Sequence, residues 1–172
     1  MKRLTPAPLF VRAVVFLSAA IALWAALPGT AQGPRVVVPI VLFAALPAVF
    51  PDSRAVSAVM VTVAFGWMFG ALVLNGSVTV IGTFTAAAAL YLLHSFAALA
   101  AMLPYDAIVD TAVLLRWAAR SGIVLAGSAA VTAIVVTLAR IMTPTTSVAA
   151  ILAGFCVVGG TVWLLARNAR QP

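Results

Sequence analysis

The sequence predicts an all-α polytopic membrane protein: a bundle of six transmembrane helices arranged as three hairpins, with a short cytoplasmic interfacial helix. Three observations predict it. Of 172 residues, 65% are hydrophobic and 8% charged, whereas a soluble domain needs about a quarter charged residues to coat its surface. The apolar residues fall in runs near the roughly 20 residues that a helix needs to cross a hydrocarbon core. All three acidic residues, Asp52, Asp106 and Asp110, lie outside those runs, and the chain has no Glu.

The runs follow in order. The first, residues 8–27, is preceded by Lys2 and Arg3 and stopped by Pro28-Gly29. A secretory signal peptide is the rival reading, with Gly29-Thr30-Ala31 as a loose cleavage site. The full-span length and the interfacial position of Trp24 favour a retained span. The second run, 36–50, carries Pro39 and Pro47, and its rise of about 22 Å falls short of a hydrocarbon core of about 30 Å. A span that thins the bilayer locally accounts for it; a broken helix lining a substrate cavity is the alternative. The third run, 55–74, is entered through Asp52-Ser53, either of which can cap a helix N-terminus. The fourth, 77–103, is long and follows the tight turn Asn75-Gly76. Residues 104–120 form the one charged stretch, Ser121-Gly122 bends the chain into a fifth run, 122–142, and a sixth covers 147–166. No repeat and no extramembrane domain interrupts this single transmembrane domain of residues 1–172.

The formal net charge of +7 does not indicate nucleic acid. Basic residues sit singly or in pairs at the ends of apolar runs, the pattern that orients membrane helices, and not in a patch interleaved with aromatics. With the N-terminus inside, Lys2, Arg3, Arg12, Arg54, Arg116, Arg120, Arg167 and Arg170 fall on the cytoplasmic side, and Arg35 and Arg140 on the other. A cell (inner or plasma) membrane protein with both termini cytoplasmic is expected. The preponderance of Arg over Lys and the abundant Ala hint at a bacterial source.

Inventory excludes most intramembrane chemistry. A Ser–Lys dyad lacks its Lys, since Lys2 is the only one, and an aspartate pair at depth is absent. Thiolate or zinc sites need several ligands, against one Cys and one His. No cofactor and no metal are expected. Pumps and proton-coupled carriers place ionisable groups at depth, and only His94 is available there. Tyr91 lies three residues before it and Ser95 beside it, so the imidazole and phenol share a helix face. A proton relay is one role for this group; a hydrogen bond across a helix interface is the favoured one.

Two further constellations concern packing and docking. Gly66 and Gly70 form a GxxxG spacing, and Ala150 with Gly154 and Cys156 with Gly160 repeat the small-xxx-small relation that lets helix backbones approach. In the charged stretch, Asp106, Asp110, Arg116 and Arg120 fall within about a third of a helical wheel. Neither Asp is three or four residues from an Arg, so the pairs need partners elsewhere. With Trp117 at headgroup depth, they form a candidate cytoplasmic docking face. The expected function is a small non-enzymatic membrane subunit or scaffold that packs with partner membrane proteins or with its own copies. The alternative is a small transporter or channel for a neutral or lipophilic solute, using the kinked second run, Thr79, Thr83, Thr85 and His94.

Overall fold

The computed structural model describes residues 6–73, 79–103 and 110–141. They form α1 (Pro6–Ala26), α2 (Pro34–Val49), α3 (Ala55–Leu72), α4 (Val80–Met102) and α5 (Thr111–Ile141), with a 3-10 turn at Gly29–Ala31. Four of these, α1, α3, α4 and α5, are long and apolar enough to cross a membrane. The protein is thus an all-α, multi-span membrane protein. The chain divides into two compact units, Met1–Ala126 and Gly127–Pro172. The second is described only through the last turns of α5.

The expected six spans in three hairpins are corrected by this arrangement. Among the described residues there are five α-helices, four of spanning length. α2 has 16 residues and rises about 24 Å, less than a hydrocarbon core of about 30 Å. The expected interfacial helix and fifth span are one element: α5 runs for 31 residues straight through Ser121-Gly122. A glycine inside a helix costs only about 1 kcal/mol relative to Ala, and a long apolar helix absorbs that without breaking. The run 147–166 lies outside the described residues, as do residues 104–109 of the charged stretch.

Each helix ends where its sequence removes the next hydrogen bond or supplies a cap. Pro28 stops α1, since it has no N–H and disfavours helical geometry at Leu27. Pro34 occupies the first turn of α2, where its missing N–H costs nothing, and Pro51 follows the C-cap Phe50 and prevents continuation. The Ser53 hydroxyl accepts from Ala55 N–H at 3.1 Å at the start of α3. Thr79 Oγ1 accepts from Gly82 N–H at 3.1 Å and caps α4. Asp110 Oδ1 accepts from Ala112 N–H at 3.0 Å and caps α5.

α1 is the central helix of the first unit, packing most extensively on α4 and also on α2 and α3. Its buried stripe, Val11, Val15, Ala19, Ala22 and Ala26, repeats every three to four residues and so lies on one face. It meets Ala89, Leu93, Phe96, Ala97 and Ala100 of α4 and Val56, Val59 and Val63 of α3. Lipid tails are as apolar as Leu, so association here draws on close packing. The Ala and Val side chains allow it. Ser18 is buried in this seam, and its hydroxyl donates to the Val14 and Val15 carbonyls of its own helix at 2.8 and 3.0 Å.

Arg12, in the second turn of α1, is half-buried. Its Nη1 donates to the carbonyls of Ala48 at 2.8 Å and Val49 at 3.2 Å, the last residues of α2. α2 therefore ends at the level of Arg12, about two turns inside the start of α1, and its terminal carbonyls would otherwise lie in an apolar medium. The guanidinium satisfies them and favours the negative end of the helix dipole.

Candidate functional site

The first unit has two ends of different chemistry. At one, the end of α2 reaches Arg12 near the start of α1, and Arg54 precedes α3. At the other, the end of α1, the end of α3 and the start of α4 surround a cavity of about 230 Å³. The two glycines of α3 lie close to the end of α1 there. A Cβ added at Gly70 would lie 3.5 Å from Pro28 Cδ and 3.7 Å from the Ala26 carbonyl oxygen, and one at Gly66 would lie 3.8 Å from Ala26 Cβ. The GxxxG face of α3 thus lies against the last turn of α1 within this chain.

The cavity is lined by small and apolar residues with a few polar side chains among them. Gln32 lies beyond the 3-10 turn and folds back, its Nε2 donating to the Trp24 and Leu27 carbonyls at 3.3 and 3.2 Å. It closes part of α1's C-terminus. Ala25 and Ala26, the last two residues of α1, line the cavity. Gly70 and Ala71, the end of α3, line the opposite wall, with Trp67 one turn deeper. Thr79, Gly82 and Thr83 supply the α4 side. Their hydroxyls serve the helix as well: Thr79 caps it and Thr83 Oγ1 donates to the Thr79 carbonyl at 3.0 Å. A second, apolar cavity of about 310 Å³ runs along α1 and α4 between Leu17, Ile21, Phe84 and Leu92, with Thr85 on its rim.

The residues singled out in the sequence fall as follows. His94 is exposed on α4, with Tyr91 and Ser95 half-buried. None of the three side chains has a hydrogen bond among the described residues. Asp110 spends an oxygen on the α5 cap, and Asp106 lies outside the described residues. Arg116 and Arg120 are exposed. Trp117 is half-buried and packs with Leu114 against the core cluster, its Nε1 enclosed without a hydrogen-bond partner among the described residues. Ser121, on the same face, is buried. The inner face of α5 therefore runs through positions 114, 117 and 121, leaving the Arg pair outside. Ala150, Gly154, Cys156 and Gly160 lie outside the described residues. Among the described residues, no group of three metal-ligating side chains comes together.

Sequence reasoning did not find the roles of Arg12 and Gln32. Each bonds the carbonyl end of a helix, Arg12 on an element 36 residues away, and no spacing rule encodes a cap supplied from that distance.

No family model matches the chain, and neither a curated protein nor a solved structure matches it.

Proposed function

We propose that this protein is a small non-enzymatic membrane subunit that packs beside a partner membrane protein through α5. The observation that carries the reading is the contrast in burial among its spans. The most apolar windows of α1 and α4 are 39% buried, while that of α5 is 6% buried. Along α5, Ala118, Gly122 and Ala126 are exposed at intervals of four residues, and nothing lies within 4 Å of a Cβ placed at Gly122. Such a ridge of small residues lets a second helix approach closely. The α1 seam argues against the transporter alternative. From Val11 to Ala26 its inner face is buried and apolar apart from Ser18, whose hydroxyl is occupied by its own helix.

We orient the chain by its basic residues. Arg12 and Arg54 share one end of the first unit, and in sequence Lys2 and Arg3 precede α1 at that end. Arg35 stands at the other, at the start of α2. The positive-inside bias assigns the Arg12 end to the cytoplasm.

The test is copurification from native membranes in mild detergent, with Gly122→Leu as the disrupting variant and Gly127→Leu, about 140° around the helix from Gly122 and likewise open to a Cβ, as its control. A membrane protein that copurifies with the wild type and Gly127→Leu but not with Gly122→Leu supports the reading. Recovery of the chain alone from native membranes, after crosslinking at positions 118, 122 and 126, overturns it.

A further inference from the structure

We infer that Arg116 and Arg120 form a docking site for the phosphate of an anionic phospholipid at the edge of the hydrocarbon core. The site goes beyond the packing role of α5 because it lies on another face. At 100° per residue, Gly122 stands about 120° from Arg116 and about 160° from Arg120. Rotation of the helix is set by Leu114 and Trp117, which pack on the core cluster, and by the buried Ser121. That rotation leaves both Arg exposed. Four positions apart, their side chains leave the helix as neighbours, with about 5–6 Å between Cβ atoms. Two planar guanidiniums at that spacing can hold one phosphate group between them.

Length sets the depth. Residues 121–139 carry no charge and rise about 28 Å as a helix, close to a hydrocarbon core of about 30 Å. Arg120 therefore stands at the boundary and Arg116 one turn beyond it, among the headgroups. Ile123, one turn inward and 72% exposed, offers an acyl chain an apolar contact below them. Charge sets the class. No acidic residue lies three or four positions from either Arg, and neither makes an ion pair among the described residues. Asp110, the acidic residue nearest in sequence, spends Oδ1 on the Ala112 N–H. Other described Arg side chains offer no such pair. Arg12 is committed to the end of α2, Arg54 follows Asp52 by two residues, and Arg35 opens α2 without a second cation. Lipid is favoured over an acidic protein segment because the depth puts the pair in the phosphate layer itself, where anionic headgroups attract basic residues.

The experiment is native mass spectrometry of the full-length protein in maltoside, with phosphatidylglycerol and phosphatidylcholine of identical acyl chains added at equal concentration. Wild type is expected to retain phosphatidylglycerol over phosphatidylcholine by about tenfold or more. The double variant Arg116→Gln, Arg120→Gln should lower that ratio about fivefold or more. Arg35→Gln with Arg54→Gln removes the same formal charge from exposed positions and should lower it by less than about twofold. Equal retention of the two lipids by wild type overturns the assignment. So does a ratio unchanged in the folded Arg116→Gln, Arg120→Gln protein, or an equal fall in the charge-matched control. A protein that copurifies from native membranes with wild type but not with Arg116→Gln, Arg120→Gln, while the purified chain shows no lipid preference, gives the pair to a protein partner and overturns it as well. The wild-type comparison and the charge-matched control stand even where the double variant fails to fold.

Discussion

Arg12 and Ala48, 36 residues apart, are joined by a 2.8 Å hydrogen bond from guanidinium to carbonyl that fixes where the short second helix ends against the first. Arg12→Met would leave the Ala48 and Val49 carbonyls without this donor in an apolar medium. A hydrogen bond to a charged group contributes about 1.5–3 kcal/mol. Removing an Arg from within two turns of a helix end returns only part of that, because the side chain can already snorkel toward the interface. The expected net loss is about 1–2 kcal/mol in detergent unfolding, with Arg12→Lys intermediate. Equal stability of Arg12→Met and wild type would show that the contact is incidental.

The Thr79 cap and Gly82 are coupled. A Cβ at Gly82 would meet Thr79 Oγ1 at 2.9 Å, so Gly82→Ala must displace the hydroxyl and forfeit a cap of about 1 kcal/mol. The gain in helix propensity is of similar size, and the single variant should be near neutral. In a Thr79→Val background the cap is already gone, and Gly82→Ala should then stabilise by about 0.5–1 kcal/mol. A double-mutant cycle reads this directly; strict additivity would contradict it.

The two glycines of α3 should respond differently to size. A methyl at Gly66 meets Ala26 Cβ at an ordinary 3.8 Å, so Gly66→Ala should be tolerated. Gly70 is buried against Pro28 and Ala26, and Gly70→Leu should force the end of α3 away from α1 at about 1–3 kcal/mol. Thermal melts of both variants in the same detergent would show the difference, and equal melting points would remove the close-approach role of Gly70.

His94 faces outward without a hydrogen bond in the described structure. His94→Leu should therefore change the stability of the isolated protein by no more than about 0.5 kcal/mol, the range of surface substitutions away from special features. A loss several times larger in purified protein would show an intrachain partner.

The proposed orientation is tested at both ends of α2. In a Cys156→Ser background, a membrane-impermeant maleimide should label Gly33→Cys on intact cells and Ser53→Cys only after permeabilisation. Labelling of both from outside would place α2 on the surface, and the reverse pattern would invert the assignment.

What was legible in the sequence was what composition and local chemistry decide. Apolar length with few charges marks α1, α3 and α4, and Pro28 and Ser53 mark helix limits through missing or supplied hydrogen bonds. The continuity of α5 was not legible, because Ser121-Gly122 reads as a bend when only propensity is weighed; with Ser121 buried on the inner face, packing overrides it. Trp117 was placed with the charged face from its interfacial chemistry, yet Leu114, Trp117 and Ser121 share the packed side. The cavity was beyond reach for a plainer reason. Its lining residues come from three stretches, 25–32, 67–71 and 79–83, that only the folded chain brings together.

The unequal lengths of α2 and α5 have a consequence for the surrounding lipid. The outward side chains of α2, among them Val38, Leu42, Leu46 and Val49, ask for acyl chains over only about 24 Å, while the 31 residues of α5 extend about 46 Å and must tilt or project. Arg12 satisfies the polar end of α2 but does nothing to lengthen its greasy flank. Lipids beside α2 are therefore drawn thin and those beside α5 are not, a difference that costs fractions of a kcal/mol per Å. The protein carries its own step in membrane thickness, and that step will draw it toward boundaries where thin and thick bilayer already meet.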